Sequence, residues 1–191
     1  MKKFIGAICS ALAGALSFVW LSLNWISTKT TVSSIFGGSD VTKGGYTGWD
    51  LISNNFGDIK ERVAELNGYM LSRIFSIAVL VFAILAILMA VVLLLQSFKI
   101  LKVKANLNVV NCVILSLFVI VAIVALIGCG VLGKAMSGTT DLFIVSGTTK
   151  AIMGVGVWLQ ASLTLLACVA CWAMARKADK SSKSKSKKRK K

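Results

Sequence analysis

Four long stretches without a single Asp, Glu, Lys or Arg dominate this chain. They are Phe4 to Ile26, Ile74 to Phe98, Val109 to Gly133 and Ala151 to Ala175. An uncharged apolar run of 18 or more residues reads as a membrane-spanning helix, because ~20 residues at 1.5 Å rise cross a ~30 Å hydrocarbon core. A soluble domain cannot hide this much apolar surface: 57% of the 191 residues are hydrophobic and only 15% charged. The runs predict an all-α membrane protein, a four-transmembrane-helix bundle with a small extracellular loop. The expected segments are helix one at 4–26, an outer loop at 28–70, helix two at 71–98, a basic connector at 99–108, helix three at 109–133, a short outer loop at 134–149, helix four at 150–175 and a disordered basic tail at 176–191.

The first run has a competing reading as a secretory signal, since Lys2 and Lys3 precede it and Ala13-Gly14-Ala15 resembles a cleavage site. Its apolar character continues well past that point, so a retained helix is expected. Lysines also set the expected sidedness. Lys2, Lys3, Lys99, Lys102, Lys104, Arg176, Lys177 and Lys180 cluster at one set of helix ends, whereas residues 28–70 mix four cations with five acids. The positive-inside rule then places both termini in the cytoplasm, in a multi-pass protein of the plasma membrane. The tail residues Lys183, Lys185, Lys187, Lys188, Arg189, Lys190 and Lys191 are expected to be solvated, with contact to anionic lipid headgroups as a by-product at ~1 kcal/mol per cation. No aromatic residue interleaves them for base stacking, so nucleic acid is not an expected partner.

Ionisable residues inside a bilayer normally mark function, because burying one is costly. The runs contain none, and the chain has no histidine. A Ser-His-Asp triad and the histidine zinc signatures are therefore excluded. No cofactor, metal or catalytic residue is expected, and the chain reads as non-enzymatic. What the helices offer is packing. Ser10, Gly14, Ser17 and Asn24 lie on run one, and Gly156, Gln160 and Thr164 on run four. Small and hydroxylated residues at helical spacing let backbones approach and hydrogen-bond across helices. Their alternative role is the lining of an oligomeric pore for a small solute, with no ring of charge for selectivity. Cys9, Cys112, Cys129, Cys168 and Cys171 all fall within the runs, where they read as small packing residues.

Between runs one and two, STKTTVSSIF (residues 27–36) is rich in β-branched residues and reads as a strand, and GGSDVTKGGYTG (residues 37–48) reads as turn chemistry. WDLISNNF follows as a second apolar-edged segment, giving a small hairpin that needs something to pack on. Phe56, Ile59, Val63, Leu66 and Met70 then recur at helical spacing, as in a short amphipathic helix. With helices so poor in chemistry, Tyr46, Trp49 and Asp50 are the candidate partner-binding residues.

Trp25, Gly48 and Trp49 within this layout resemble the Gly-Leu-Trp element of claudin-like tetraspan proteins, although the two loop cysteines of that motif are missing. Gly48-Trp49-Asp50-Leu51 is also similar to a Gly-aromatic-Asp-Leu element of small bacterial four-helix membrane proteins. The first resemblance implies a role in contacts made through outer loops. Neither implies a reaction. The expected function is structural or accessory, with a protein partner or a second copy bound through helix faces and the first outer loop.

Overall fold

A computed structural model describes residues 4–34, 37–98, 100–101, 107–142 and 145–188, without side-chain detail at 140–145 and 176–188. It is a mixed α/β structure. In chain order the elements are α1 (Ile5–Leu21), β1 (Asn24–Ser34), β2 (Ser39–Thr47), α2 (Gly48–Ser53), a 3-10 turn (Gly57–Ile59), α3 (Lys60–Ala64), α4 (Tyr69–Ser97), α5 (Leu107–Met136), β3 (Gly138–Leu142), β4 (Val145–Met153) and α6 (Val155–Lys188). The strands form one antiparallel sheet in the order β2-β1-β4-β3.

This corrects the expectation of an all-α four-transmembrane-helix bundle. Among the described residues, three helices are long and apolar enough to cross a membrane: α4, α5 and the Val155–Ala175 part of α6. The first run splits instead. Helix α1 stops at Leu21 after 17 residues, about 25 Å at 1.5 Å per residue and short of the hydrocarbon thickness. Its end tightens into i→i−3 bonds from Ser22 N to Val19 O and from Leu23 N to Trp20 O, each 3.1 Å. Trp25 and Ile26 then enter β1. The fourth run likewise loses Ala151–Met153 to β4 and becomes helical only from Val155. Both apolar stretches run on into the sheet's base, and hydropathy alone does not distinguish a buried strand end from a helix end.

The outer loops also differ from expectation. Residues 39–47, read as turn chemistry, are the second strand, and WDLIS lies in helix α2. The short second outer loop is itself a hairpin, β3–β4, and its strand β4 pairs with β1 from Ile26↔Met153 to Ser34↔Val145. That pairing supplies the packing an isolated hairpin lacks. The amphipathic helix is broken up: Phe56 and Val63 are buried, Ile59 and Met70 exposed. At the far end α6 continues as helix to Lys188, where disordered chain was expected from residue 176.

The long helices expose many bulky apolar residues. On α4 the buried positions include Val79, Ala83, Ala86, Ala90 and Leu93, while Ile74, Val81, Leu88 and Val91 are exposed. On α5 Leu115, Phe118, Ala122, Ala125 and Leu132 are buried and Ile120, Ile123 and Ile127 exposed. Small residues let helices approach closely, and the exposed apolar surface is compatible with a membrane location.

The chain divides into two compact units. One comprises Met1–Leu16, Val81–Ile120 and Ser162–Lys191 and is purely helical among its described residues. Ala13, Cys112, Leu115, Ala167 and Cys171 form a core cluster there. The other comprises Ser17–Leu80 and Val121–Ala161 and holds the whole sheet.

Candidate functional site

The sheet meets its supporting helices around Trp25. Between Asn24 and Ile26 the β1–β2 register shifts by a bulge, so Trp25 and Ile26, although consecutive, are both fully buried. A bulge re-aims one side chain in this way. The Trp25 indole donates its Nε1–H to Trp20 O at 2.9 Å. Gly48 and Gly156 press on it: a Cβ at Gly48 would lie 2.9 Å from Trp25 Cε2, and one at Gly156 2.8 Å from Trp25 Cδ1. Leu21, Leu51 and Val157 are fully buried in the same unit. Beyond this base the sheet carries Ser, Thr, Gly and Lys, and most of its described residues are exposed or half-buried.

The three candidate partner-binding residues turn out to have local structural work. Asp50 closes a capping box at the start of α2: its Oδ2 accepts from Thr47 N at 2.7 Å and from Thr47 Oγ1 at 2.8 Å, and Asp50 N donates back to Thr47 Oγ1 at 3.1 Å. Tyr46 stacks at a tilt on Phe56 with centroids 4.8 Å apart, and Phe56 meets Tyr69 edge-on at 6.0 Å. Tyr69 Oη donates to Oδ1 of Asn54, the left-handed C-cap of α2, at 2.7 Å. Burial pushes the Tyr46 phenol above its ordinary pKa, and the Asp50 charge adds to the shift. Trp49 lies on Phe18, centroids 6.3 Å apart, and donates to Ser22 Oγ at 3.2 Å. It is the one of the three that keeps a substantial exposed face, 36%.

The candidate packing or pore-lining residues separate by unit. In the helical unit Ser10 is fully buried and donates to Asn111 Oδ1 at 2.7 Å. Asn111 Nδ2 in turn lies 3.5 Å from Cys171 Sγ, and the Cys171 and Cys112 sulfurs are 2.8 Å apart. A Cβ at Gly14 would sit 2.6 Å from both Ala83 O and Ile87 Cγ1, so the α1 backbone lies directly on α4. Thr164 is fully buried as well. In the sheet-bearing unit Gln160 Nε2 donates to Ser17 Oγ at 2.9 Å, with both residues fully buried. Asn24, expected on this stripe, is exposed at the start of β1 instead. The tail cations Lys183, Lys185, Lys187 and Lys188 lie on α6 without described side chains, and Arg189, Lys190 and Lys191 lie outside the described residues.

Two features lie outside the expected site residues. Trp25 is the largest fully buried side chain among the described residues, and the β-branched residues that follow it are the signal for a strand there. Lys29, Lys43 and Lys150 form one row across the sheet, with Lys29↔Lys43 and Lys29↔Lys150 both in register. The first pairing follows from a hairpin turning near Gly37, but the second needs the pairing of β1 with β4. Among the described residues, no three Cys, Asp or Glu side chains converge as a metal site would need. The chain matches no protein-family model and no curated protein.

Proposed function

We propose that this chain is a multi-pass protein of the plasma membrane, without enzymatic activity, that holds a β-sheet at the membrane surface as a docking platform. Its partner is another protein or a second copy of the chain, and the basic tail adds contact with anionic lipid. One observation carries the reading: the sheet is anchored at its base by the buried Trp25 while its distal part stays open on both faces and along the edge strand β2. An anchored strand edge with free backbone groups and exposed Val32 and Val41 suits strand addition or face-to-face contact. A contact role of the kind implied by the claudin-like resemblance would fall on this surface. Pairing of Ser17 with Gln160, and of Ser10 with Asn111, favours the packing role of those residues over pore lining.

Chemical crosslinking in native membranes tests the proposal. Wild-type chain should give discrete crosslinked species that Val41→Asp or Val32→Asp diminishes at unchanged expression. Identical crosslink patterns in wild type and both variants would count against the platform.

A further inference from the structure

The three-lysine row lies on one exposed sheet face, since residues directly opposite in adjacent strands point to the same side. Like charges in that arrangement repel. Among the described residues, the register places no acidic residue directly beside the row. Asp40 pairs with Val32, an odd number of residues from Lys29 and so on the opposite face. Asp141 pairs with Ser146, four residues from Lys150 and about 13 Å along the strand. Asp50 is occupied by Thr47.

The height of the row relative to the apolar helices follows from contacts within the same unit. Ser137 Oγ lies 3.0 Å from Gly133 O and accepts from Ala151 N at 2.9 Å. Gly133 ends the uncharged run on α5 and Lys134 is its first charge. The border between apolar and charged surface on α5 is therefore level with Ala151, the neighbour of Lys150. On the lysine face the next residue toward α6 is Ile152, 67% exposed, followed at the helix start by Val155, 64% exposed. Apolar surface gives way to three ammonium groups over two residues. With the helices in a bilayer, its polar layer, about 5–8 Å deep, would begin at this border, within the reach of snorkelling lysines.

We propose that Lys43, Lys29 and Lys150 bind the phosphate of anionic phospholipid headgroups in the leaflet bordering the sheet. Each phosphate oxygen set accepts from neighbouring ammonium groups and relieves their mutual repulsion. These lysines belong to the sheet-bearing unit, and the C-terminal tail to the other. The lysine site rests on the membrane placement proposed above, and the experiment distinguishes failure of the two.

The full chain is reconstituted with Lys183, Lys185, Lys187, Lys188, Arg189, Lys190 and Lys191 replaced by glutamine, so that the tail does not contribute. Spin-labelled phosphatidylglycerol and phosphatidylcholine then report motionally restricted lipid at the protein surface. The expected result is at least about threefold selectivity for phosphatidylglycerol, falling to about one in Lys29→Gln/Lys43→Gln/Lys150→Gln and retained in the matching arginine triple. Inorganic phosphate should lower the selectivity no more than chloride of equal ionic strength. Restricted lipid without selectivity, or selectivity that survives the glutamine triple, overturns the site alone. Displacement by phosphate beyond the chloride control overturns the lipid as its ligand. Absence of any restricted lipid overturns the membrane placement and the site with it.

Discussion

Trp25 and Trp49 stand 24 positions apart in a stretch where either could serve as an anchor, and their environments separate them. Trp25 is fully buried and hydrogen-bonded to Trp20 O, whereas Trp49 keeps 36% of its surface exposed. Trp25→Ala leaves a large cavity at the sheet's base and should cost about 3–5 kcal/mol. Trp49→Ala forfeits one exposed hydrogen bond and part of a ring contact, at about 1 kcal/mol or less. Thermal unfolding of both variants in the same detergent checks the order; equal losses would argue against Trp25 as the anchor. Tyr46 offers a pH test. Its folded pKa lies above the ordinary value of 10.0. The stability linked to its proton is thus intact below pH about 10 and is lost as pH rises through the raised value. Tyr46→Phe should remove that alkaline loss from the unfolding profile, and an unchanged profile would show that other groups cause it.

Strand β1 shows what an element gains from a distant partner. Its run of Thr, Val and Ile favours extended backbone, whereas its hairpin partner β2 lies in residues 39–47, which read as turn chemistry. Its other edge is taken by β4, more than 100 residues away in the chain, with Thr30 Oγ1 and Thr149 Oγ1 3.3 Å apart. Thr30→Cys combined with Thr149→Cys should form a disulfide under mild oxidation, read as a mass shift in the linked peptides, because native Cys9, Cys112, Cys129, Cys168 and Cys171 all lie on helices. Failure to link would remove the β1–β4 pairing. Between α1 and α6, the Ser17–Gln160 bond invites a double-mutant cycle with Ser17→Ala and Gln160→Leu. Couplings of this kind in membranes average about 0.6 kcal/mol and reach about 1.7. A coupling indistinguishable from zero would place the two side chains apart.

For the molecule as a whole, three long apolar helices that expose bulky side chains are compatible with a membrane location. The chain should stay in the membrane pellet after alkaline carbonate extraction and be released only by detergent; release at high pH would contradict it. Most of this was readable from composition. The absence of charge over 25 or so residues is a local property, and the uncharged runs 74–98 and 109–133 overlap α4 and α5. The sheet was not readable in the same way. Trp25, Ile26 and Ala151 to Met153 are apolar in strands as they would be in helices, and a ladder between residues 26–34 and 145–153 depends on which distant backbone satisfies the exposed strand edge. The same holds for the lysine row, whose third member joins only through that ladder. Solvent preference therefore belongs to the sequence, because burying or exposing a side chain in lipid is decided residue by residue. Where a helix yields to a strand, and which side chains then share a face, belongs to the tertiary structure, because hydrogen-bond partners are chosen across the chain.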